Sequence, residues 1–81
     1  MTRQKVLNKT LKNIGTELSG LRQKKGYTTI KDFAADYDLP LIQYWRIEKG
    51  KANMTIKTLV QLLAIHRISV EDFFCRLTSG N

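Results

Sequence analysis

Phe33-Ala34-Ala35-Asp36-Tyr37-Asp38-Leu39-Pro40-Leu41-Ile42-Gln43-Tyr44-Trp45-Arg46-Ile47-Glu48-Lys49-Gly50 is the stretch on which the fold turns. It reads as two short helices around a break. Thr29 and Asp32 have the spacing of a capping box, with Asp in place of the preferred Glu, and open the first helix. Phe33, Ala34 and Tyr37 form its apolar side. At the break, Asp38 tolerates the left-handed backbone of a sharp turn. Pro40 cannot sit deep in a helix but suits a first turn. The second helix runs from about Leu41 to Lys49 and ends at Gly50. Two such helices joined by about four residues satisfy the needs of a helix-turn-helix. Ala34 is small where the helices must cross, and Leu39 is placed to be buried after the turn. With Tyr44 and Ile47 facing inward, a step of about 100° per residue turns Ile42, Trp45, Arg46 and Lys49 outward. Leu41 and Gln43 lie at the edges, near the helix start.

Working outward, helical spacing continues on both sides. Leu7, Leu11, Ile14, Leu18 and Leu21 recur at helical steps and predict a helix that ends at Gly26. Lys24 and Lys25 fall in its last turn, where cations suit the dipole. Gly15 weakens this helix in the middle. Residues 1–13 are therefore read as a basic arm or a helical extension. Downstream, Asn53 and Met54 lie in a loop. Thr55 caps a fourth helix, with Ile56, Leu59, Leu63 and the flanking Val60 and Leu62 turned inward. Ser69 and Asp72 open a last helix with Val70, Phe73 and Leu77 on its inner side. No stretch alternates with period two. The expectation is an all-α chain of about five helices, with one domain over residues 14–77 and a tail over residues 78–81.

Eighty-one residues suffice for one domain, not two. The balance of 14 Lys and Arg against 7 Asp and Glu gives a net charge of +7. Eight of the basic residues, against Glu17 alone, fall in the first 31 positions. Such an excess attracts polyanions, nucleic acid foremost, although solubility alone also uses charge. The single Cys75 excludes an intramolecular disulfide, fits a reducing compartment and is expected to be buried or half-buried. No apolar run approaches the roughly 20 residues of a membrane span. Polar residues from Asn8 to Asn13 interrupt any signal-peptide core. These features place the chain in the cytoplasm, away from membranes. With one His and one Cys, and no phosphate-binding glycine loop or zinc-binding helix motif, an enzyme is not expected, nor a metal or cofactor.

Tyr44-Trp45-Arg46-Ile47-Glu48-Lys49-Gly50 resembles the end of the recognition helix in the Cro and lambda-repressor-like helix-turn-helix family. Leu21-Arg22-Gln23-Lys24-Lys25-Gly26-Tyr27-Thr28 is similar to that family's junction after its first helix. Thr58-Leu59 and Ile68-Ser69-Val70-Glu71-Asp72-Phe73-Phe74 resemble its last two helices. The resemblance covers Ile14 to Phe74. It implies a compact five-helix lambda-repressor-like domain. It also implies sequence-specific binding of double-stranded DNA by a homodimer and a role in transcriptional regulation, repression first. Residue by residue, it implies an ion pair between Arg22 and Glu48, and base reading by Leu41, Ile42, Gln43 and Arg46. Backbone contacts would come from Thr28, Thr29, Trp45, Lys49, Lys51 and Asn53. Phe73, Phe74 and Leu77 are a possible dimer surface, with the Leu7–Leu11 segment a second.

The chain departs from that pattern in several places. Leu41 and Ile42 are apolar where many relatives carry polar readers. They suit thymine methyls, or, with Trp45, a protein-binding patch in an antitoxin-like interaction module. Asp38 and Arg67 stand where glycines are usual. His66 stands where leucine is usual and is expected to be partly buried and neutral.

Overall fold

The structure, a computed structural model, describes residues 2–79. Among these, five helices and no strand form: α1 (Arg3–Lys24), α2 (Ile30–Asp36), α3 (Leu41–Glu48), α4 (Ile56–Ile65) and α5 (Val70–Ser79). Side-chain hydroxyls open four of them. Thr2, Thr29, Thr55 and Ser69 accept from the backbone N–H three residues on, at 3.1–3.2 Å. Each such cap satisfies a donor that the first helical turn leaves over, at about 1 kcal/mol.

The core is built from one stripe of each helix. Ile14, Leu18 and Leu21 of α1, Phe33 of α2, and Tyr44 and Ile47 of α3 meet Leu59, Leu62 and Leu63 of α4 and Phe73 of α5. Phe33, Phe73, Leu18 and Leu63 are the largest fully buried side chains. Each contributes about 1.5–3 kcal/mol from apolar burial. Phe33 sits at the centre of an aromatic cluster. The ring centres of Tyr27, Tyr37, Tyr44 and His66 lie 5.0–5.6 Å from that of Phe33, and the imidazole stacks within 4° of parallel.

α1 is one continuous helix through Gly15. A Cβ at Gly15 would collide with the Glu48 carbonyl oxygen and lie 2.7 Å from that of Ile47. Glycine here lets α1 cross the end of α3 at backbone contact, which explains a residue that local propensity alone disfavours. Before Ile14 the helix runs past the core. Leu7 is exposed and Leu11 half-buried, and the molecule is 39 Å long against 24 and 22 Å across. The apolar stripe of α1 is thus buried mainly from Ile14 onward.

Four details differ from the sequence expectations. Ile56 and Val60 of α4 face solvent at 66% and 46% exposure, because that helix buries its Leu59, Leu62 and Leu63 side. Phe73 is fully buried, so its ring belongs to the core and not to a dimer surface; Phe74 is exposed and Leu77 half-buried. Cys75 is exposed, because two residues beyond Phe73 the helix has turned about 200° away from the core. Finally, α5 extends to Ser79, so the expected tail does not begin at residue 78; Gly80 and Asn81 lie outside the described residues.

Candidate nucleic-acid interface

The connection from α2 to α3 sets the pose of the exposed helix. α2 ends at Asp36, and Asp38 takes a left-handed backbone, with φ 55°. The Leu39 N–H then donates to the Ala34 carbonyl at 2.8 Å, folding the turn back onto α2. Pro40 occupies the N-cap position of α3 without a side-chain cap bond, and its carbonyl accepts from the Tyr44 N–H at 2.9 Å. Ala34, in the α2 face that meets α3, is buried, as small size at a close helix crossing requires.

The far end of α3 is held by charge. The Arg22 Nε donates to Glu48 Oε2 at 2.8 Å and its Nη2 to Oε1 at 3.2 Å, so the pair is bidentate. Arg22 also donates to the Tyr27 carbonyl at 2.8 Å and the Ser19 hydroxyl at 3.2 Å. Both ionic side chains are buried. Losing either partner would strand a charge in a poorly solvated site. The Tyr44 hydroxyl is buried beside this pair without a hydrogen-bond partner. Burial raises its pKa, and the Glu48 carboxylate adds to that.

With Tyr44, Ile47 and Glu48 turned inward, the other side of α3 is open. Leu41, Ile42, Gln43, Trp45 and Arg46 are exposed, Ile42 at 70%. Leu41, Ile42 and Trp45, with Ile30 of α2, wall an open groove of about 550 Å³ whose lining also includes Lys31, Arg46 and Lys51. A second groove on the other side of Leu41 and Ile42 includes Pro40, Gln43, Arg46 and Ala52. Leu41 and Ile42 therefore stand as an apolar ridge between two troughs, and Arg46 borders both.

The loop after α3 folds back beside that ridge. Gly50, with φ 70°, ends the helix turn, and the Lys51 N–H donates to the Arg46 carbonyl at 2.8 Å. The Arg46 Nη2 donates to the Lys51 carbonyl at 3.2 Å, and the Lys51 ammonium lies 5.5 Å from the centre of the Trp45 ring. These contacts pre-set two cations along the outer face. Thr28, Thr29, Lys49 and Asn53 are all exposed; Thr29 is engaged as the α2 cap.

The structure thus brings Leu41, Ile42, Gln43, Arg46, Trp45, Lys49 and Lys51 to one face, around the exposed side of α3. It also adds Ile30 and Lys31 from α2, and Lys12, whose Cα would lie 2.8 Å from a Cβ at Gly50. The sequence signal for Lys12 was its helical register with Lys5, Lys9 and Thr16; its approach to Gly50 depends on how α1 crosses α3. His66 is half-buried against Phe33, and burial together with the charge of Lys25 lowers its pKa.

Among the described residues, no helix is long and apolar enough to cross a membrane, and no group of acidic, His and Cys side chains could hold a metal ion. No family model, curated protein or solved structure matches the chain.

Proposed function

We propose that the protein is a sequence-specific double-stranded DNA-binding regulator of transcription, acting as a repressor, with α2, the turn and α3 serving as a helix-turn-helix. The observation that carries the reading is the sidedness of α3. Its inner side is pinned by Tyr44, Ile47 and the Arg22–Glu48 pair. Its outer side is solvent-exposed and bordered by cations. A helix held this way fits a major groove about 12 Å wide. The net charge of +7 supplies the attraction to phosphates.

In this pose Leu41 and Ile42 meet thymine methyls, while Gln43 and Arg46 bond base edges, Arg46 to guanine O6 and N7. Lys49, Lys51 and Asn53, with Trp45 beside them, track the backbone and set register, as do Thr28 and Thr29 at the start of α2. Domains of this type bind as homodimers to half-sites about one helical turn apart. Phe74 and Leu77 of α5 remain available for the dimer contact.

Arg46→Ala should weaken binding to the preferred duplex far more than to random duplex, and Lys51→Ala should weaken both alike while lowering the salt slope by about one. Equal weakening by Arg46→Ala on both duplexes would remove it from base reading.

A second reading rests on the groove of Ile30, Leu41, Ile42 and Trp45, which also suits a protein-interaction module of the antitoxin kind. A partner whose binding survives Arg46→Ala and fails with Trp45→Ala would favour it.

A further inference from the structure

The first turns of α1 carry a charge pattern that the outer face of α3 does not explain. Lys5, Lys9, Lys12, Thr16 and Ser19 follow at steps of four and three, so they share one side of the helix. Ile14, Leu18 and Leu21 occupy the opposite side and enter the core. All three lysines are exposed, and none forms an ion pair among the described residues. No acidic residue precedes Glu17, and Glu17 itself faces Arg76 at 3.8 Å.

This side of α1 runs into the end of α3. Lys12 packs against Gly50, where a Cβ would lie 2.8 Å from its Cα and Cγ. Lys12, Thr16 and Ser19 line a groove of about 330 Å³ with Glu48 and Lys49. The Glu48 carboxylate in that groove is committed to Arg22. Lys49 in turn continues the outer stripe of α3 from Ile42 through Arg46. The lysine side of α1 and the outer face of α3 are therefore continuous through Lys12 and Lys49.

We propose that Lys5, Lys9 and Lys12 form a second phosphodiester-binding ridge, which carries the DNA contact past the C-terminal end of α3. The inference rests on the DNA-binding reading and adds a site to it. From Lys5 to Lys12 the helix rises about 10 Å, at 1.5 Å per residue. One strand of duplex presents about three phosphates over that length. Ridge and strand therefore match in number of charges and in extent. Lysine on a flexible stem suits a phosphate as a point charge and reads no base, so the ridge adds affinity and leaves sequence preference alone.

The test is the salt dependence of binding for the triple variant Lys5→Gln, Lys9→Gln, Lys12→Gln, measured on the preferred duplex and on a random one. The slope of log affinity against log salt should fall by about 2.7, at 0.9 per phosphate. Between 50 and 200 mM salt the wild type should then lose roughly 40-fold more affinity than the variant. The ratio between the two duplexes should stay the same, and the triple Lys→Arg variant should keep the wild-type slope. An unchanged slope in the Gln variant overturns the proposal, as does loss of slope in the Arg variant. So does a changed ratio between duplexes, or a loss confined to binding of phosphatidylglycerol vesicles. A wild type without sequence preference would sink the regulator reading; a slope that still falls on random duplex would leave the ridge standing.

Discussion

The two sides of α3 obey different rules. Tyr44, Ile47 and Glu48 are buried, and each has surroundings that fix its place: the Phe33 ring for Tyr44, the apolar core for Ile47 and Arg22 for Glu48. Ile42, Trp45 and Arg46, on the same eight-residue helix, touch solvent. Substitution on the inner side is a question of folding. On the outer side, under the proposed function, it is a question of binding. A residue's neighbours, and not its chemical type, set the difference: Ile47 is buried and Ile42 exposed, although they are the same amino acid.

Glu48→Ala should break this contrast most severely. It leaves the Arg22 guanidinium buried without its carboxylate, at about 3–5 kcal/mol. Domains of this size have little stability beyond that, so thermal unfolding monitored by circular dichroism should show a largely unfolded chain at 37 °C. Gly15→Ala should follow. Its methyl meets the carbonyls of Ile47 and Glu48, and overpacking of this kind costs about 1–3 kcal/mol. Helix propensity alone would favour alanine by about 1 kcal/mol, so a net loss in chemical denaturation isolates the backbone contact.

On the outer side the expected effects move to DNA. Ile42→Ser should leave the melting temperature unchanged while lowering the discrimination between preferred and random duplex by up to about 1–3 kcal/mol, the usual cost of one misread base pair. A fall in stability of similar size would show that Ile42 is packed and would erase the distinction between the sides. The smallest effect should come from His66. Its folded pKa is lowered from the ordinary 6.5, so the folded state prefers the neutral ring. The associated stability is present above pH 6.5 and is lost as pH falls through the folded value. Melting curves from pH 7.5 to 5 should show a modest decline that His66→Gln flattens.

The contrast between the sides also tells how much was legible beforehand. With Tyr44 and Ile47 inward, helical geometry places Ile42, Trp45 and Arg46 outside, and the caps at Thr29, Thr55 and Ser69 are legible as local signals. α4 was harder. Ile56, Leu59, Val60, Leu62 and Leu63 spread apolar atoms around most of that helix, so periodicity did not single out the buried side. Contact with α5 and the rest of the core makes that choice. Gly15 misled for a related reason. As a local signal it weakens a helix, while its use lies in a crossing between residues more than thirty positions apart, which no window of sequence displays. Phe73 and Phe74 were ambiguous as neighbours of one type; the packing of α5 sends the first inward and leaves the second outside.

The most direct measurement of the central claim is selection of binders from a random duplex pool at about 150 mM salt, where purely electrostatic binding is suppressed. A DNA-reading α3 should give recovery of a two-fold symmetric site whose enrichment is lost with Ile42→Ser and Arg46→Ala. Recovery of no motif, with only weak, salt-sensitive binding that those variants leave intact, would contradict it.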